Sequence, residues 1–132
     1  MSGIYKGQAP KSINNNHLDD SLKKRTVQAW VNFNGFDAIT IRDSSNVSSV
    51  TDNGTGDYFV NFETPLSNAD YAITLGAGGD PGPANLMVVT GSGGAYPPVS
   101  TVNGFSIVTK LSTSSGLYDV GFIHAAVLGG QI

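Results

Sequence analysis

Residues 26–62 alternate apolar and polar side chains with the period of two that an extended strand uses. In the 26–34 stretch Val27, Ala29, Val31 and Phe33 point one way, and Gln28, Trp30, Asn32 and Asn34 the other. The alternation breaks at Asn34-Gly35-Phe36-Asp37 and at Asp52-Asn53-Gly54-Thr55-Gly56-Asp57, where a chain would reverse. In the second break Asn53 and Gly54 are the expected turn residues, because both take positive φ at low cost and tight hairpins need it. Trp30 does not fit the polar side of its strand. Its presence predicts that this side is covered too, by a neighbouring chain or by the N-terminal arm.

The same reading continues down the chain. Strands are expected over 38–42, 47–51, 58–63, 71–75, 86–90 and 105–111, with a last one over 119–128. Glycine and proline make 76–84 and 91–98 loops. In the last strand Val120, Phe122, His124, Ala126 and Leu128 oppose Gly121, Ile123, Ala125 and Val127. Both faces are apolar, so this strand should be central in a sheet or lie at a subunit interface. About eight short strands with regular turn signals and no internal repeat predict an all-β antiparallel β-sandwich.

At 132 residues the chain reads as one domain. With 13% charged residues and 17 glycines, the composition is poor for helices and good for turns. There is no cysteine, which excludes disulfides and thiolate metal sites. No apolar stretch follows Met1–Lys6 as in a secretory signal, and no run reaches the roughly 18 apolar residues of a membrane span. A soluble protein made in a cytoplasm is expected, with no membrane partner.

Charge divides the chain in two. Residues 1–25 hold Lys6, Lys11, Lys23, Lys24 and Arg25 against Asp19 and Asp20, a net +3. The remainder holds Arg42 and Lys110 against eight carboxylates, a net −6. A basic arm (1–25) ahead of an acidic body (26–132) is either a solvated terminus or a docking arm lying on an acidic surface. Asn16 would cap a short helix over 17–24, whose only apolar stripe is Leu18 and Leu22. Such a helix cannot stand alone in water and must be covered.

Catalytic chemistry finds little footing. No Gly-x-Ser-x-Gly elbow is present, and His17 and His124 are the only histidines. His17 lies in the arm; mid-strand, His124 reads as a hydrogen-bonded interior residue. Three copies of His124 could meet on a trimer axis, but the paired His-x-His that would complete a metal site is missing. Asp52, Asn53, Thr55 and Asp57 lack EF-hand spacing and its closing Glu, so they read as turn formers. The glycine clusters at 76–79 and 91–94 lack the Lys-Ser/Thr of a phosphate cradle. Arg42 and Asp43 read as a local ion pair or turn contact. The body has the wrong sign for nucleic acid. A non-enzymatic chain without cofactor or metal is expected.

The string Ala29-Trp30-Val31-Asn32-Phe33-Asn34-Gly35, followed by Ile41-Arg42-Asp43-Ser44, Asn46-Val47-Ser48-Ser49 and Thr51-Asp52-Asn53-Gly54-Thr55-Gly56-Asp57-Tyr58, resembles a β module of tailed bacteriophages. That module occurs at tail-fibre and tailspike tips and on other surface proteins of the virion. The resemblance extends from residue 26 to about 75, and more loosely to Ala126-Val127; residues 76–98 do not align. It implies a jelly-roll-like β-sandwich knob that forms homotrimers on the virion surface. Binding specificity does not carry over with it.

In fibre proteins the module follows a long shaft. The first 25 residues carry no heptads, β-helix repeat or collagen-like tract, and extended they span at most about 85 Å. The expectation is therefore a trimeric capsid decoration (cement) protein that reinforces the capsid. It would dock on the major capsid protein, or on a tail protein, through Lys6, Lys11, Leu18, Leu22, Lys23, Lys24 and Arg25. Trp30, Ile123, His124 and Val127 are the candidates for the trimer interface or covered face. Alternatives are a short tail fibre or tailspike tip that binds a host receptor, and a carbohydrate-binding module. In the last, Tyr96, Tyr118 and Trp30 could hold a host surface glycan.

Overall fold

A computed structural model describes residues 19–78, 85–91, 99–114 and 116–131. The expected roles of Lys6, Lys11, Asn16, His17, Leu18 and Tyr96 lie outside the described residues. A six-residue helix, α1 (Asp20–Arg25), precedes nine strands. These are β1 (Val27–Asn34), β2 (Thr40–Ser45), β3 (Val47–Gly54), β4 (Asp57–Phe62), β5 (Tyr71–Gly78), β6 (Leu86–Thr90), β7 (Ser100–Thr101), β8 (Gly104–Leu111) and β9 (Phe122–Gly129). One sheet runs β2-β1-β9-β5 and the other β3-β4-β8-β6, with the short β7 also paired to β8. All pairings are antiparallel. The protein is all-β and sandwich-like.

Period two explains the core. Val31 and Phe33 of β1 and Ile123, Ala125 and Val127 of β9 bury one face of the first sheet. Tyr58, Val60, Phe105 and Ile107 meet them from the second. Phe33 and Tyr58 pack edge to face, with ring centroids 5.4 Å apart. β9 is central, flanked by β1 and β5, as its two apolar faces require. Ile123 and Val127, however, are both 0% exposed inside the chain's own core. Their cover is the chain's second sheet rather than another subunit.

Three local expectations are corrected by backbone irregularities. The β1–β9 register shifts between Val27 and Ala29. Val27 therefore swings out, 51% exposed, and Gln28 turns in, 4% exposed. The β3–β4 register shifts between Asp52 and Gly54, so Asn53 becomes the extra residue of a bulge. Gly54 pairs with Asp57, and Thr55-Gly56 makes the tight turn. Positive φ falls on Gly54 (125°) and Gly56 (62°), not on Asn53. At Gly56 a Cβ would also meet the carbonyl oxygen of Thr109 at 2.5 Å, so two constraints demand glycine there. Finally, β9 starts at Phe122 rather than at residue 119, which frees Asp119 for another task.

The helix is shorter than expected and capped by Asp19, whose Oδ1 accepts from the Leu22 N–H at 2.9 Å. Leu22 is 45% exposed. The helix C-terminus is tied to β1 by polar contacts. The Lys23 carbonyl accepts from Thr26 Oγ1 at 3.0 Å and from the buried Gln28 Nε2 at 2.8 Å. Gln28 Nε2 also donates to Thr26 Oγ1 at 2.7 Å. Replacing Gln28 by Leu should cost about 1–2 kcal/mol, since the Lys23 carbonyl loses one of its donors and Thr26 Oγ1 loses its amide partner. The same change should speed tryptic cleavage at Lys23, Lys24 and Arg25, read by limited proteolysis; unchanged cleavage would rule this anchor out.

Candidate functional site

The outer face of the first sheet is assembled by cross-strand register. One row reads Ser45, Trp30, Ala126, Thr74 across β2, β1, β9 and β5. The next reads Asp43, Asn32, His124, Gly76. Phe122 follows, opposite Gly78. Trp30 is 37% and Phe122 41% exposed on this surface, and His124 is exposed beside them. Large rings therefore stand next to glycine, alanine and threonine on the β9–β5 side, with polar side chains of β1 and β2 beside them.

This face is held in place. Arg42 is the extra residue where the β1–β2 register shifts between Asn32 and Phe33. Its guanidinium donates to Asn32 Oδ1 at 3.2 Å and to the Gly121 carbonyl at 2.5 Å. Those bonds set Arg42 Cζ 4.5 Å from the Phe122 ring centroid, a cation–π contact. Phe122 in turn meets His124 edge-on at 6.3 Å. A Cβ on Gly76 would run into the His124 ring, and one on Gly78 would lie 3.1 Å from Phe122 Cβ. The two aromatic side chains of β9 thus cover the glycines of the edge strand β5 and fix its register.

Two expectations change here. His124 is not an interior residue; β9 turns it outward while Ile123 and Ala125 face the core. Arg42 reaches across to β1 and β9, and Asp43 Oδ1 instead accepts from the Ser44 N–H at 2.9 Å. Of the four residues expected at an interface or covered face, Trp30 and His124 share the outer face, whereas Ile123 and Val127 lie in the core. Of the arm residues described, Leu22, Lys24 and Arg25 are exposed and Lys23 is partly buried.

A second polar cluster sits at one end of the core. Asp119 Oδ1 accepts from the Gly56 N–H at 2.7 Å and lies 3.0 Å from Tyr58 Oη. Tyr58 Oη is also 2.8 Å from the Gly35 carbonyl oxygen, so its single hydrogen serves one acceptor at a time. Tyr118 continues the cluster, its backbone bonded to Thr109. Among the described residues of this cluster no nucleophile–base pairing emerges; its contacts tie β4 and β8 to the Gly35, Gly56 and 118–119 segments. Among the described residues no group of three or more His, Cys, Asp or Glu is placed to hold a metal. An open recess of about 500 Å³ beside α1 presents Lys24 and Asp70 as its charged groups.

Burial, and secondarily the Asp119 carboxylate, raise the Tyr58 phenol far above its ordinary value of 10.0. Burial raises Tyr71 as well. Below pH 10 both folded and unfolded chains keep these protons. Above it the unfolded chain loses them first, so stability should fall as pH rises, with Tyr58 contributing up to about 1.4 kcal/mol per pH unit. Denaturation at pH 9 to 11 reads that slope. Tyr58→Phe should make it shallower, leaving the contribution of Tyr71; an unchanged slope would contradict the assignment.

Sequence reasoning joined neither Arg42 to Phe122 nor Asp119 to Gly56 and Tyr58. The available signal was Phe122 on the outward parity of a strand whose other face already filled the core. A scan against protein-family models, a search of curated proteins and a search of solved structures each find no match.

Proposed function

We propose that this chain is a non-enzymatic structural protein of the outer surface of a tailed-phage virion, a trimeric capsid decoration protein. The observation that carries the reading is the aromatic outer face of Trp30, Phe122 and His124, braced by Arg42 and exposed among the described residues. An exposed aromatic field beside small residues marks an interaction surface. The phage-module string supports the setting: its segments fall on β1 and β2, which carry part of this face, and on the β3–β4 hairpin of the second sheet. The strand order β2-β1-β9-β5 over β3-β4-β8-β6 supports a jelly-roll-like knob.

In this reading three basic arms dock on acidic capsid surface while the knobs hold one another. Each arm contact is weak, and three linked contacts multiply through effective concentration. Binding only the assembled lattice stabilises it by linkage. Deleting residues 2–25 should abolish co-sedimentation with capsids while the knob still melts cooperatively; retained binding would sink the docking role. A second reading is a short tail-fibre tip that binds host glycan. It is favoured by Trp30 standing beside Asn32, Arg42 and Asp43, an aromatic platform with polar neighbours. Retention of the full chain on host polysaccharide would support it.

A further inference from the structure

Three asparagines directly precede glycine, at Asn34-Gly35, Asn53-Gly54 and Asn103-Gly104. Such a step can deamidate without an enzyme. The glycine amide nitrogen attacks the asparagine side-chain carbonyl, and no Cβ stands in its way. The fold treats the three steps differently. Gly35 is buried, its N–H donates to the Val120 carbonyl at 3.0 Å, and Asn34 Oδ1 accepts from the Phe36 N–H at 3.0 Å. Gly104 is buried in β8 and paired on both sides, with Asn61 and with Thr101. The Asn103 backbone is fixed as well: its N–H donates to Thr101 Oγ1 at 3.1 Å and its carbonyl accepts from the Phe62 N–H at 2.8 Å. Asn53 is the exception. It is the bulged residue of the β3–β4 pair, left out of the register between Asp52 and Gly54. Among the described residues Asp52, Asn53, Gly54 and Thr55 are all exposed, and a Cβ on Gly54 would meet nothing within 4 Å.

We propose that Asn53 is a self-modification site, which deamidates through Gly54 with Asp52 as the base. The Gly54 N–H donates to Asp52 Oδ1 at 2.9 Å, within reach for proton transfer. The Gly35 N–H instead faces a peptide carbonyl, which is no proton acceptor of this kind. As the Gly54 nitrogen bonds to Asn53 Cγ, its proton passes to the Asp52 carboxylate. The Cγ–Nδ2 bond then breaks, and ammonia leaves carrying that proton. Water opens the resulting succinimide at either of its carbonyls, leaving aspartate or isoaspartate at position 53. Both products add a carboxylate beside Asp52 and lower the formal net charge from −3 by one. Isoaspartate also lengthens the backbone, at a bulge where the ladder is already interrupted. The fold therefore survives the change, and the hairpin becomes more acidic.

The test incubates the folded, full-length chain in mildly alkaline buffer and follows all three sites by peptide mapping with mass spectrometry. Asn53 should convert at least about tenfold faster than Asn34 or Asn103, whose steps must wait for local opening. In strong denaturant the three rates should draw together. Isoelectric focusing should show a more acidic band growing at the Asn53 rate, and Asn53→Gln should lack it. An Asn53 that stays intact, or that converts no faster than Asn34 and Asn103 in the folded chain, would overturn the site. Asp52→Asn keeps an oxygen for the Gly54 N–H but no base, and should slow Asn53 by about tenfold. An unchanged rate in that variant would overturn the proton transfer to Asp52.

Discussion

Asp119→Ala should lower stability by about 2–3 kcal/mol, roughly 7–11 °C in Tm for a chain of this size. The side chain is only partly buried, yet it is the acceptor for the buried Gly56 N–H and a neighbour of the buried Tyr58 hydroxyl. Removing it leaves the Gly56 donor without its partner inside the fold and unties the β3–β4 turn from the segment leading into β9. Asp119→Asn keeps an oxygen for the Gly56 N–H and should lose less than half as much. Differential scanning calorimetry of the two variants decides the matter. Equal losses would mean that charge, rather than the hydrogen bond, holds the turn.

Trp30→Glu should act on assembly and hardly on the fold. Trp30 stands on the outer face, so a polar substitution there should cost the single chain about 1 kcal/mol or less. At an interface centre the loss of an aromatic anchor costs about 2 kcal/mol or more, about thirtyfold in affinity for each contact. The added carboxylate, unpaired on burial, raises that cost further. Sedimentation equilibrium should show the parent near three times its 13.7 kDa chain mass and the variant near one. A variant that still forms trimers would remove Trp30 from the interface.

The strands were legible because side-chain period follows directly from backbone geometry, and the 86–90 strand was placed to the residue. Bulges were not, since an extra residue flips facing without changing composition. That is why Val27 and Gln28 exchanged places, and why the β3–β4 turn moved from Asn53-Gly54 to Thr55-Gly56. Trp30 announced itself as a misfit on a polar face. His124 misled, because its seat on Gly76 exists only once β5 and β9, far apart in sequence, are in register. Asp119 was hidden for a similar reason: its partners lie on distant turns.

Whether the chain decorates a capsid, as proposed, is decided by its copy number in purified virions. Quantitative gel densitometry against the major capsid protein should give a stoichiometry on the scale of the capsid lattice. A stoichiometry matching the few positions of a tail would contradict the decoration reading.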